Sequence, residues 1–194
     1  MSKVPLISSA EAPARSREVL DETQAKIGMV PNLYRALAAS PAALHGYVQL
    51  AATLSGGVLS AKTRESLAVA IAEANRCEYC LSAHTAIGKM AGLKDEAILQ
   101  ARNGKAEDSK LQAILDLARR MVRQRGQLAP GVFEAAHAAG VTHAEFAEIA
   151  AHIGLHTFSN YFNNLVDTDI DFPRVKLHPA AIAEEAMLHQ PQTA

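Results

Sequence analysis

Apolar positions recur along the chain at the three- and four-residue spacing of helix faces, and no stretch alternates long enough to read as a strand. Capping and breaking residues divide that pattern into a series of helices. Residues 10–26 predict a first, polar-faced helix stopped by Gly28 and Pro31, and residues 32–39 a short second one. Ser40 and Pro41 supply an N-cap and the residue favoured at the first helical position, opening a helix to about Leu54 that Gly56 and Gly57 break. Ser60 caps residues 61–74, whose apolar stripe is Leu67, Ala70, Ile71 and Ala74. Asn75 and Arg76 interrupt the pattern before a helix over 77–91, which Gly92 ends. Helices over 95–102, 109–125 and 130–139 follow, the middle one carrying Leu111, Ile114, Leu115, Ala118 and Val122 on one side. Thr142 and Glu145 form a capping-box signature for a helix through Phe146, Ile149 and Ile153, which either continues or kinks at Gly154 toward Phe158 and Phe162. After a loop over 167–173, residues 179–188 read as a last helix. No linker, low-complexity segment or shift in composition divides the chain, so residues 1–194 are expected to form one all-α domain, a single-domain helical bundle.

Composition narrows the class without naming a chemistry. Hydrophobic residues make up 49% and charged residues 20% of the chain, a globular balance that buries a core without staples. The net charge of −1 offers no attraction to nucleic acid or an anionic membrane. No run approaches the roughly 18 apolar residues of a transmembrane helix, and the apolar run at the start is too short for a secretory signal. The expected compartment is the cytosol, where a C-x-x-C pair points to redox or metal chemistry rather than a structural staple.

Both cysteines of the chain, Cys77 and Cys80, stand three residues apart, with His84 four residues further on. On a helix at about 100° per residue the three fall on one face, within roughly 60° of each other. If that helix begins near Arg76, both thiols lie in its first turn, where unpaired N–H groups and the positive end of the dipole favour a thiolate. His84, one turn beyond Cys80, is placed to accept its proton. A Cys80 thiolate that attacks a peroxide becomes a sulfenic acid, which Cys77 can resolve as a disulfide. Three readings fit these residues: a dithiol redox site, a metal site completed by His152 or His156, and a buried pair with no chemistry. The clustering of two thiols and an imidazole favours the first.

The remaining polar residues carry softer signals. Glu73 reads as a solvated carboxylate at a helix end. His152, His156 and Asn160 recur every four residues and are placed to line a pocket or a subunit contact. Asn163 and Asn164 read as turn or cap residues before Asp167. Met29, Met90, Met121 and Met187 read as packing residues, and Arg119, Arg120, Arg123 and Arg125 as a solvated helix end that complements the dipole. The stretch 145–164 loosely echoes 65–84 in its small and apolar residues.

The run Ser60-Ala61-Lys62-Thr63-Arg64-Glu65, followed by Cys77-Glu78-Tyr79-Cys80 and His84, resembles the core motif of the carboxymuconolactone decarboxylase-like superfamily. More narrowly, it is similar to the alkyl hydroperoxidase D-like branch of peroxidase-related proteins. Val30-Pro31-Asn32-Leu33-Tyr34, Ser40-Pro41, Asn160-Tyr161-Phe162-Asn163 and Asp171-Phe172-Pro173 are similar to the flanks of that branch, so the likeness spans about residues 4–173, with its core over 30–173. The resemblance implies an all-helical fold assembled as homo-trimers or homo-hexamers. It also implies a dithiol peroxidase that reduces hydroperoxides and needs neither metal nor cofactor. Carried over residue by residue, Cys80 is the peroxidatic cysteine, Cys77 the resolving one, His84 the proton relay and Glu65 the general base behind it. The reductant is left open between a lipoylated carrier, as in the founding enzyme, and a thioredoxin-like protein.

The role of Glu65 sets a geometric condition. On one unbroken helix Glu65 and Cys77 lie about 18 Å apart, so the assignment requires a sharp reversal at residues 75–76 that brings Glu65 beside His84. Tyr79 departs from the founding enzyme, which has a histidine there. With a pKa near 10, tyrosine is a poor base at neutral pH, which implies a weaker relay or a different substrate and reductant. The true lactone decarboxylases lack the cysteine pair, which ranks that activity behind peroxide reduction.

Overall fold

The computed structural model describes residues 1–179. Those residues form an all-α domain of helices α1 (Ala14–Ile27), α2 (Asn32–Leu37), α3 (Pro41–Ser55), α4 (Ala61–Ala74), α5 (Glu78–Met90), α6 (Asp95–Arg102), α7 (Ser109–Gln124), α8 (Val132–Ala138) and α9 (His143–Val166). The expected last helix falls almost wholly outside the described residues.

Helix α4 is the centre of the bundle and packs against α5, α6, α7 and α9. Its residues 66–73 are all buried, and Leu67, Val69 and Ile71 show no exposed surface. Each such side chain contributes about 1.5–3 kcal/mol through burial. On one side of α4 the core joins Leu20, Leu37, Leu44, Leu81 and Leu115; on the other it joins Leu59, Ile114, Val141 and Ile149.

The expected caps form. Ser40 accepts the Ala43 N–H, Ser60 the Thr63 N–H, and Thr142 with Glu145 closes a reciprocal capping box. Helix α1 starts four residues later than its polar pattern predicts. Ser8 instead gathers the Glu11 and Ala12 N–H groups in a turn ahead of Pro13. Helix α9 runs through Gly154 without interruption, because Ile149, His152, Leu155 and His156 on either side of the glycine stay buried. One packing expectation fails: Met90, the last residue of α5, is 80% exposed; Met187 lies outside the described residues.

The reversal between α4 and α5 has the hydrogen bonds of a Schellman motif. The Arg76 N–H donates to the Glu73 carbonyl and the Cys77 N–H to the Ala72 carbonyl, while Arg76 takes a left-handed conformation with φ of 56°. The two helices then run back alongside each other. Gly88 on α5 allows the close approach: a Cβ there would come within 3.2 Å of Leu93 and 3.6 Å of the Cβ of Glu65.

Candidate active site

Cys77 is the N-cap of α5, and its Sγ accepts the Cys80 N–H at 3.2 Å. The capping role and the C-x-x-C spacing place both sulfurs in the first turn, with Cα atoms 5.3 Å apart, and they are joined as a disulfide. Cys77 is wholly buried, whereas Cys80 keeps 3% of its surface exposed. The cysteine pair therefore sits against the core at the positive end of α5, where a reduced cysteine is favoured as thiolate.

His84 lies one turn along α5 from Cys80. Its Nδ1 is 2.8 Å from Oε2 of Glu65 on α4, the juxtaposition that only a reversal at residues 75–76 permits. Both side chains are about one-sixth exposed, so the pair is shielded but within reach of solvent. With Nδ1 held by the carboxylate, Nε2 is the nitrogen left for exchange on the other side of the ring.

Helix α9 supplies the third wall. His156 meets His84 edge to face with ring centroids 4.9 Å apart, and His152 stacks on His156 at 5.8 Å. Both α9 histidines are buried; their unpartnered nitrogens are the two of His152 and Nδ1 of His156. Desolvation holds their pKa values below the usual histidine range, furthest for His156, with the nearby Arg64 acting in the same direction on His152 and the nearby His84 and His152 on His156. They are neutral at pH 7. Among the described residues, no group of three or more His, Cys, Asp or Glu side chains is arranged to hold a metal ion. Cys77, Cys80, His84 and the α9 histidines therefore do not form the zinc-type cluster that their spacing allows.

Further along the same face, Asn160 accepts from the Asn75 side chain at 3.1 Å, and Asn163 donates its Nδ2–H to the Cys80 sulfur at 3.3 Å. Asn163 is thus no turn residue, as its position near the end of α9 suggests. It is buried and touches the cysteine pair. Its spacing of 3 and 4 residues from Asn160, His156 and His152 was the available signal: the four share one stripe. Asn164 does not act locally either: its amide donates to the carbonyl of Asn75, 89 residues away, and braces the reversal. A cleft of about 870 Å³ opens beside the first turn of α5, lined by Asn75, Arg76, Glu78, Tyr79, Asn163 and Arg174 among others.

Two further residues sit elsewhere than the sequence suggests. The Tyr79 hydroxyl accepts the Leu33 N–H at 3.1 Å, and its ring meets Phe172 edge to face. Burial pushes its pKa up. Tyr79 therefore fastens α2 and the chain after α9 to the cysteine helix. Glu73 is buried rather than solvated, because Arg102 of α6 reaches it at 2.8 Å and the His178 N–H donates to its other oxygen at 2.7 Å.

Comparison with known proteins agrees with this architecture. Residues 41–124, which hold the turn, both cysteines, His84 and Glu65, match the Carboxymuconolactone decarboxylase family. The structure of an alkylhydroperoxidase AhpD core, an uncharacterized peroxidase-related protein from Ralstonia eutropha JMP134, is 28% identical. Its superposition has a TM-score of 0.80 over 88% of this chain and 92% of that one. An uncharacterized peroxidase-related protein from Silicibacter sp. TM1040 is 23% identical, with a TM-score of 0.76 over 87% of this chain and 91% of that one. The debrominase Bmp8, solved as a variant in complex with 2,3,4-tribromopyrrole, is 18% identical, with a TM-score of 0.73 over 97% and 100%. The last two establish a shared fold alone. An uncharacterized protein of Haemophilus influenzae is 53% identical over 45 residues, a match that takes in 23% of this chain and 40% of that protein's length. Over residues 41–124 the chain is thus similar to the carboxymuconolactone decarboxylase family, and its fold is similar to that of the alkyl hydroperoxidase D-like core.

Proposed function

We propose that this chain is a thiol-dependent peroxidase that reduces hydroperoxides through a Cys77–Cys80 dithiol/disulfide cycle, in the service of antioxidant defence. The observation that carries the reading is the disulfide at the N-terminus of α5, one helical turn from an imidazole held by a partly buried carboxylate.

In the reduced enzyme, His84 takes the Cys80 proton through Nε2, and Glu65 orients the imidazole and stabilises its charge as a positioning residue. The Cys80 thiolate attacks the terminal oxygen of the hydroperoxide, the O–O bond breaks, and the departing alkoxide takes the proton from His84 to leave as an alcohol. Cys80 is then a sulfenic acid. The Cys77 sulfur attacks the Cys80 sulfur, water leaves, and the disulfide of the present structure remains. Two electrons and two protons from a dithiol donor, of the lipoyl or thioredoxin class, reopen it. No helix among the described residues is long and apolar enough to cross a membrane. An assembly of trimers or hexamers belongs to the same reading.

The test is a free-thiol titration with intact mass, before and after one equivalent of hydrogen peroxide or an organic hydroperoxide. Loss of both thiols and of about two mass units per chain is expected. Cys80→Ser abolishes peroxide consumption, whereas Cys77→Ser forms a sulfenic acid and fails to recycle. Thiols that survive the oxidant untouched overturn the reading.

A further inference from the structure

We infer that Asn163 is a catalytic residue of the cysteine site: its carboxamide stabilises the Cys80 thiolate through Nδ2–H and receives the sulfenic acid hydroxyl on Oδ1. The inference rests on the dithiol reading above and adds a residue that the C-x-x-C motif does not contain.

Three observations carry it. Nδ2 of Asn163 donates to the Cys80 Sγ at 3.3 Å, across 83 residues of sequence. Asn163 is itself 97% buried, with 3% of its surface exposed. Its Oδ1 is buried without a hydrogen-bond partner, although most buried side-chain oxygens have one. An unsatisfied acceptor on the side chain that touches the reactive sulfur is explained if it is satisfied during turnover. A sulfenic acid on Cys80 brings an O–H donor next to that oxygen, so both ends of the amide are used in the oxidised intermediate. In the thiolate state the same Nδ2–H becomes a charge-assisted donor, about twice as strong as a neutral one. Asn163 also lines the cleft that opens beside the first turn of α5.

The division of labour that follows is specific. His84 and Glu65 lie one turn along α5 and move the proton. Asn163, on α9, neither gives nor takes a proton; it sets how readily Cys80 ionises and how the nascent hydroxyl is held. An apolar replacement of similar size therefore alters the acidity of Cys80 while leaving the proton relay in place.

The experiment uses the Cys77→Ser background, which leaves Cys80 as the sole thiol and replaces the α5 N-cap with serine, a residue that caps equally well. Two readouts are taken with and without Asn163→Leu: the rate of alkylation by iodoacetamide against pH, and the rate of sulfenic acid formation with hydrogen peroxide, trapped with dimedone. With Asn163→Leu the alkylation midpoint is expected to rise by about one pH unit, a tenfold loss of thiolate at neutral pH. The net alkylation rate at pH 7 falls less, about threefold, because a less acidic thiolate is the better nucleophile. The two pH profiles cross above the wild-type midpoint. Asn163→Asp moves the midpoint up further, since a carboxylate repels the thiolate. An unchanged midpoint in a folded Asn163→Leu protein, or a rate loss equal at every pH, overturns the assignment; the second marks a packing defect. If Asn163→Leu does not fold, Asn163→Ala, which removes the amide without adding bulk or charge, gives the same midpoint test. Alkylation requires no peroxide chemistry. A shifted midpoint in a protein inert to hydroperoxides therefore supports the role of Asn163 at the sulfur while the peroxidase reading fails.

Discussion

Two carboxylates on α4, eight residues apart and each facing a base, are used in different ways. Glu65 pairs with the His84 imidazole at 2.8 Å; Glu73 pairs with the Arg102 guanidinium at the same 2.8 Å. A guanidinium does not release its proton in proteins, so the Glu73 pair is a fixed charge clamp between α4, α6 and the chain at His178. An imidazole exchanges its proton near neutral pH, so the Glu65 pair can take part in chemistry. Exposure follows the same division. The Glu73 and Arg102 side chains are 8% and 12% exposed, against about twice as much for Glu65 and 15% for His84. Distance alone does not separate the two sites. The partner's chemistry does.

The comparison is broken most forcefully at Glu73. Glu73→Ala leaves the Arg102 guanidinium buried without its counter-charge and frees the His178 N–H. Breaking a buried pair from one side costs about 3–5 kcal/mol, and urea denaturation of the oxidised protein is expected to show a loss of that size. The rate constant for Cys80 oxidation per folded molecule should stay within about twofold of wild type. A protein as stable as wild type removes the clamp from the account of the fold. A folded variant with crippled oxidation erases the contrast with Glu65.

The fold was largely legible from local patterns, because the helix signals are local: Ser40, Ser60 and Thr142 cap the helices their positions predict. The reversal at residues 75–76 was legible too, though it rests on Arg76 in a left-handed conformation rather than on a glycine. The site was legible where it is written in one short segment, and less so where it is assembled across helices. Nothing around Glu73 announces that Arg102, from another helix, will neutralise it in the interior. Asn163 sits where asparagine ordinarily ends a helix, and its contact with Cys80 arises only once α9 is laid against α5. Tyr79 occupies a position that the family motif links to proton transfer. Its hydroxyl is instead taken by a backbone N–H of α2, a partner 46 residues away.

Glu65→Gln sharpens the comparison from the other side. The amide still reaches Nδ1 of His84 but loses the charge that stabilises an imidazolium. Oxidation of Cys80 by hydroperoxide at pH 7 is expected to slow by about 10- to 100-fold, with stability changed by less than about 1 kcal/mol because the pair is not fully buried. The pH profile separates a positioning role from damage: loss of the carboxylate moves the limb assigned to His84, whereas a packing defect lowers the rate evenly. Glu65→Asp, which keeps the charge on a shorter arm, should recover part of the rate. A Glu65→Gln enzyme with wild-type rate and profile would reduce Glu65 to a structural carboxylate like Glu73.

The smallest effect concerns the neutral side of the same wall. His156 packs edge to face on His84 and is buried, with its pKa held well below 6.5 by desolvation and by the nearby His84 and His152. In the unfolded chain the same imidazole titrates at its ordinary value, near 6.5. As pH falls through that value the unfolded state takes up a proton that the folded state refuses. Stability is therefore lost from the unfolded-state pKa downward, until the folded pKa is reached. Between about pH 7 and pH 5.5 this one residue contributes a loss of roughly 1 kcal/mol. His156→Leu, which keeps the site apolar and of similar volume, should flatten the acid limb by that amount when chemical denaturation of the oxidised proteins is compared at the two pH values. His152 shares the direction of shift, so part of the slope remains in the single variant. If wild type and His156→Leu lose stability in parallel, His156 is protonated in the folded state, and the wall behind His84 carries a positive charge. That charge would disfavour the imidazolium that Glu65 stabilises, and the contrast between the two α4 carboxylates would then have to include a repulsion on the His84 side that the Arg102 side lacks.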